Sequence, residues 1–174
     1  MQGLLAVLLS LSVVVSNVQE ASMLTSVPQD YMCKIAKIES NWNPNAVNKA
    51  TNSRGLFQIT APTEKNLRDK YKVIGDILDP YINALLASYL TAEHIKYLKN
   101  KGFKINDLNL YILHFFGIPD GYIFLTTNSM TLVKERFPKV YKYNKGIVGN
   151  KTVGEFKQYL QSKLDKSPKC SDVK

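Results

Sequence analysis

Glu39 is the residue whose position says most about chemistry. From Tyr31 onward the apolar residues recur at helical spacing, and Met32, Ala36 and Glu39 stand at i, i+4 and i+7 on the face that also carries Ile35. The spacing predicts a carboxyl group at the end of a buried stripe. Desolvation there raises a carboxyl pKa, as a general acid working near neutral pH requires. A glutamate close to a helix C-terminus is also commonly solvated or ion-paired, so spacing alone leaves both readings open.

The other reactive side chains form no familiar constellation. Ser40 has neither His94 nor His114 near it in sequence and no Gly-x-Ser-x-Gly elbow around it, so it reads as a cap of the helix end or loop. Gln58 can satisfy its own loop or face a ligand, and His114 can be a core histidine or a hydrogen-bond donor. Trp42, Tyr89 and Tyr111 are either core aromatics or cleft side chains. Cys33 and Cys170 are the two cysteines, and without a CxxC or His/Cys cluster no metal or cofactor is expected.

These residues need elements to hold them. Pro28 opens a helix that ends near Ser40, with Asn43-Pro44 as the stop. The Asn-rich stretch Asn41 to Arg54 reads as a loop or irregular hairpin, followed by the apolar Gly55-Leu56-Phe57-Gln58-Ile59-Thr60. Asp79-Pro80 starts a long, mostly buried helix through Tyr81, Leu85 and Tyr89. Asn106 or Asp107 starts another through Leu110, Tyr111 and Phe115, closed by Gly117. Shorter helices are expected over Pro119 to Leu125 and Ser129 to Arg136, and Thr152-Val-Gly-Glu155 is a capping box for a last amphipathic helix. Strand signals are sparse. The expected fold is mainly α, a single domain over residues 28–166 with a flexible tail at 167–174.

The chain has 23 Lys and Arg against 14 Asp and Glu, a formal +9 that predicts attraction to a polyanion or anionic surface. Arginine occurs only at 54, 68 and 136, which argues against a sequence-reading nucleic-acid protein. The apolar run Leu4 to Val15 has the length of a signal-peptide core and is short for a membrane span. Val14 and Ser16 fit a cleavage site before Asn17, so residues 1–16 read as a signal peptide and 17–27 as a tether; an uncleaved anchor is the alternative, because no Lys or Arg precedes the apolar core. Export would place the protein in the periplasm or cell envelope. There Cys33 and Cys170 can close a disulfide, the alternative being one buried thiol and one in a disordered tail.

Three motifs, in order, resemble the soluble-lytic type of lytic transglycosylase, in the lysozyme-like superfamily. They are Glu39-Ser40-Asn41-Trp42-Asn43-Pro44-Asn45-Ala46, then Gly55-Leu56-Phe57-Gln58-Ile59-Thr60, then Asp79-Pro80 with Asn83, Tyr89-Leu90 and Tyr111 to Gly117. The family pattern usually ends Ala-Tyr-Asn-Ala-Gly, whereas His114 and Phe115 stand here at the Tyr and Asn positions, a variant similar to phage and secretion-associated members. An imidazole can donate a hydrogen bond as a phenol would, but Phe115 cannot replace an amide. The loop between Ala46 and Gly55 is about one residue longer than the common pattern.

The resemblance implies cleavage of peptidoglycan glycan strands between N-acetylmuramic acid and N-acetylglucosamine, with Glu39 as acid and then base and a 1,6-anhydro product. It also implies that Gln58, Ser40, Tyr89, Tyr111, His114 and Phe115 line the substrate cleft. Ordinary glycosidases need two carboxylates, and Asp69, Asp76 and Asp79 are unconvincing as a second, which suits a substrate-assisted exception. A muramidase delivering water, an inactive wall-binding assembly module and a basic nucleic-acid-binding protein are the alternatives. A monomer serving secretion, conjugation or phage entry would fit a small exported enzyme, and no specific nucleic acid is expected as a partner.

Overall fold

The computed structural model describes the backbone of residues 2–173 and the side chains of residues 11–173. The start of the leader, Met1 and the side chains before residue 11, and the last tail residue, Lys174, lie outside the described residues. The chain forms two compact units, Met1–Ala92 with Ser167–Lys174, and Glu93–Lys166, so residues 28–166, read above as one domain, are divided between them.

The first unit begins with α1 (Gln2–Thr25) and α2 (Gln29–Ser40), which pack together. The stretch 17–27, expected to be a tether, is instead helical to Thr25, with Val18, Ala21 and Ser22 fully buried. Its polar composition does not oppose burial: the Ser22 hydroxyl donates to the Val18 carbonyl at 2.6 Å. α2 buries Tyr31, Met32, Cys33, Ile35 and Ala36, the stripe seen in the sequence. It ends because Asn41 and Trp42 adopt left-handed backbone (φ 53° and 65°), their N–H groups donating to carbonyls at Lys37 and Ala36. The stop thus comes ahead of Asn43-Pro44.

A short antiparallel hairpin follows, β1 (Val47–Asn48) on β2 (Ser53–Arg54), with Val47 opposite Arg54 and Asn48 opposite Ser53. Then comes α3 (Ala61–Tyr71), a helix not anticipated although Thr60 and Pro62 mark its start. Its Glu64 accepts from Arg54 at 2.6 Å and from Arg68 at 2.8 Å, and Arg68 also donates to the Val73 and Gly75 carbonyls. α4 (Pro80–Asn100) starts on Asp79, whose carboxylate accepts from the N–H groups of Tyr81 and Ile82.

The expected flexible tail is held to this unit. The structure joins Cys33 of α2 to Cys170 with Cα atoms 5.3 Å apart, inside a 3-10 turn at Cys170–Asp172, and the Cys170 N–H donates to Asp30.

The second unit contains the end of α4 and then α5 (Asp107–Thr126), capped by Asn106 and broken at Gly117, whose φ of 74° and ψ of 163° end one helical segment and start the next. Three short elements follow: α6 (Val133–Arg136), α7 (Pro138–Tyr143) and α8 (Lys145–Val148). The helix expected over Ser129 to Arg136 is thus shorter, because Ser129 and Thr131 give their carbonyls to Gly154 and Val153. α9 (Val153–Asp165) opens on the Thr152/Glu155 capping box and packs on α5. Phe116, Phe124, Phe137 and Phe156 form the core here, ring centroids 4.4–6.1 Å apart. His94, 2% exposed, is pushed down to about pKa 3 by burial and then by the nearby His114.

Two predictions follow from these contacts. A Cys33→Ser/Cys170→Ser protein should unfold about 2–5 kcal/mol more easily in urea, and its midpoint should no longer respond to reductant. His94 is neutral when folded and protonates near pH 6.5 when unfolded, so the unfolded state binds the extra proton. Stability should fall as pH drops from about 6.5 towards 3, by up to about 1.4 kcal/mol per unit, a slope that His94→Phe should reduce in pH-dependent urea titrations.

Candidate active site

A groove of about 500 Å³ opens in the first unit, lined by Lys37, Ile38, Glu39, Ser40, Asn41, Ala46, Val47, Asn48 and Gln58. That volume lies within the range of roughly 300–1,000 Å³ usual for small-ligand sites. Three expected site residues therefore meet on one surface: Glu39 and Ser40 from the last turn of α2, and Gln58 from the loop after β2. Glu39 is half-buried, beside the apolar Ile38, Ala46 and Val47. Ser40 donates its hydroxyl back to the Ala36 carbonyl at 3.1 Å and so serves the helix end.

The loop opposite α2 is built on a buried amide. Arg54 and Ile59 exchange backbone hydrogen bonds of 3.0 Å, closing Gly55-Leu56-Phe57-Gln58 into a tight turn whose Leu56 and Phe57 enter the core. Asn83, wholly buried on α4, accepts from the Phe57 N–H at 2.9 Å and donates to the carbonyls of Arg54 (3.1 Å) and Ile77 (3.0 Å). A Cβ on Gly55 would fall 2.1 Å from the Asn83 amide nitrogen, and Gly55 has φ of 78°, so both space and backbone demand glycine. The sequence marked Asn83 only as part of a motif; a carboxamide in the apolar first turns of a buried helix was the available signal for its role.

Gln58 lines the groove and also satisfies its own loop. Its amide donates to the carbonyls of Ala46 (3.2 Å) and Gly55 (3.0 Å), and its oxygen accepts from the Ser53 hydroxyl (2.9 Å). Both donors are taken by the loop itself, leaving one lone pair on the oxygen. Gln58 therefore braces the groove wall. Asn43 and Asn48 fold the neighbouring turns by accepting from backbone N–H groups two residues on.

Of the remaining expected residues, Tyr89 is on α4 and Tyr111, His114 and Phe115 belong to the second unit. Tyr89 does not line the groove and stacks on Tyr71 at 4.0 Å. In the second unit, buried Tyr111 stacks on His114 at 6.2 Å and meets Phe115 edge-on at 6.4 Å, while Phe115 also packs on Phe116 and Phe156. Trp42 is a core side chain, 9% exposed.

Glu39 is the one carboxylate among the groove-lining residues. The other carboxylates weighed in the sequence have local duties. Asp69 is held below the usual carboxylate range by its hydrogen bond from Lys65 and that lysine's charge, Asp76 accepts from the Leu78 N–H, and Asp79 caps α4. A single half-buried carboxyl in an open, mixed-polarity groove can give and retake a proton from a bound ligand.

Residues 16–114, more than half of the chain, match the family model described as the Transglycosylase SLT domain. The chain belongs to the SLT family. The match begins within α1, consistent with residues 17–25 being part of the folded unit. The fold is similar to the X-ray structure of an inactive glutamate-to-glutamine mutant of the lytic transglycosylase Slt from Pseudomonas aeruginosa, with a TM-score of 0.54 and 15% identity over 89% of this chain and 25% of that one. The SLT chain described here thus spans about a quarter of the length of that protein, and at this identity the likeness concerns the fold.

Removing the buried amide tests the loop's dependence on α4. Asn83→Ala would strand the Phe57 N–H and the Ile77 carbonyl, and should cost about 2–4 kcal/mol in chemical denaturation, with loss of hydrogen-exchange protection at the Phe57 amide.

Proposed function

We propose that this SLT protein cleaves peptidoglycan glycan strands between N-acetylmuramic acid and N-acetylglucosamine without consuming water. The observation that carries the proposal is Glu39 as the single carboxylate lining the groove, on the helix end that faces the Gly55–Gln58 turn in an SLT-family chain. The Pseudomonas aeruginosa relative, inactivated by a Glu-to-Gln change, lends support to a glutamate as the essential group.

Glu39 donates its proton to the glycosidic oxygen as the C1–O bond breaks, releasing the N-acetylglucosamine 4-hydroxyl. The muramic acid N-acetyl oxygen supports the positive charge developing at C1, as in substrate-assisted glycosidases. Glu39, now a carboxylate, takes the proton of the muramic acid 6-hydroxyl while that oxygen bonds to C1. The acid is regenerated and the product carries a 1,6-anhydro ring. Ile38, Ala46 and Val47 give the sugar faces apolar contact, and Gln58 holds the opposite wall in place.

The proposal includes export to the periplasm or cell envelope. It is supported by the apolar run Leu4 to Val15 and by the Cys33–Cys170 bridge, which suits an oxidising compartment. Local opening of the wall for a secretion, conjugation or phage-entry apparatus is the use such activity fits.

Digestion of purified glycan strands tests the chemistry. Mass spectrometry should find ends one water lighter than reducing ends, and Glu39→Gln should lower the rate by at least about 10²–10⁴-fold with unchanged thermal stability. Reducing ends would instead identify a muramidase, and equal cleavage by the Gln variant would remove Glu39 from the chemistry.

A further inference from the structure

Lys37 is the one cationic residue lining the groove, and the described lining otherwise contains Glu39 and neutral side chains. Its ammonium group donates to Oδ1 of Asn41 at 2.5 Å, while the Asn41 N–H donates to the Lys37 carbonyl at 3.0 Å. The first bond holds the ammonium group beside the end of α2, and the second is the backbone bond that closes that helix. An ammonium has three hydrogens, so the neutral amide engages one and leaves two for a ligand. A lysine here also complements the negative end of the helix dipole, which would by itself account for an exposed lysine. Its place in the lining beside Glu39 gives it a second use, because a ligand carboxylate is a stronger acceptor for an ammonium group than the Asn41 amide.

Resting on the reading of this groove as a glycan site, we infer that Lys37 forms a carboxylate subsite beside Glu39. It selects glycan whose muramic acid bears a carboxylate, on the lactyl arm or on the peptide attached to it, over otherwise equivalent neutral glycan. Lys37 acts on binding; the proton transfers remain with Glu39. Because Lys37 is exposed, water and salt screen the contact, and the discrimination should be about two- to tenfold at low ionic strength.

The test uses the full chain and three glycans: peptide-bearing strands, strands stripped of peptide, and stripped strands whose carboxylates have been converted to methylamides. Dissociation constants are measured on Glu39→Gln protein and KM values on the unaltered protein, each with and without a substitution at position 37. Peptide-bearing strands, stripped strands or both should bind about two- to tenfold more tightly than the methylamides, less so at high salt. Lys37→Met should bring that ratio to about one, and Lys37→Arg should retain it. Tighter binding of peptide-bearing than of stripped strands, lost in Lys37→Met, places the carboxylate on the peptide; the reverse order places it on the lactyl arm. Equal affinity of peptide-bearing, stripped and methylamidated strands, or a ratio that survives Lys37→Met, overturns the subsite. If no strand is cleaved but the binding ratio behaves as expected, the cleavage reading fails while the subsite stands. Cleavage of every strand with the same KM has the opposite meaning.

Discussion

The groove depends on the buried carboxamide of Asn83. One side chain on α4 accepts from the Phe57 N–H and donates to two carbonyls from different segments, so residues 54–57 and 77 are positioned by a single planar group. A buried amide left unmatched is costly, and full satisfaction makes this arrangement specific. Gly55 exists to let that amide approach, and Leu56 and Phe57 anchor the turn in the core beneath. Gln58, the last residue of the turn, then reaches back to Ala46 and Gly55 and closes the wall that faces Glu39. Placement of Glu39 rests separately on α2, whose end is fixed by two left-handed residues and whose body is bridged to Cys170.

Much of this was legible where one residue type has one strong physical preference. The apolar spacing around Met32, Ile35 and Ala36 gave α2, Asp79-Pro80 gave the start of α4, and Thr152 with Glu155 gave the start of α9. Gly117 marked the break in α5 because its backbone conformation is one that other residues avoid. The Asn-rich loop resolved into side-chain-to-backbone turns and a two-residue hairpin, as such composition favours.

What was missed depended on distant partners. Residues 17–25 look like a polar tether until α2 supplies the surface that buries Val18 and Ala21. α3 has little apolar patterning and leans on the Arg54–Glu64–Arg68 network, whose members are not adjacent in sequence. The Cys33–Cys170 bridge was among the expectations, but the tail around it read as loose because the Asp30 contact that orders it lies 140 residues away along the chain. At the site, spacing placed Glu39 at the end of the buried stripe and left its role open, and the inward duty of Gln58 was equally open, since an amide serves a ligand or a backbone equally well until the fold chooses.

The bridge from Cys33 to Cys170 also bears on how the molecule is made. The second unit, Glu93–Lys166, is read out between the two parts of the first, so the helix that carries Glu39 emerges 137 residues ahead of its covalent fastening. During synthesis the helix with Glu39 must wait for the whole intervening segment before Cys33 can find its partner. The first unit therefore cannot be finished vectorially. Completion of the groove-bearing half waits on synthesis of the second unit, and a ribosome stalled anywhere within it leaves that half unlocked.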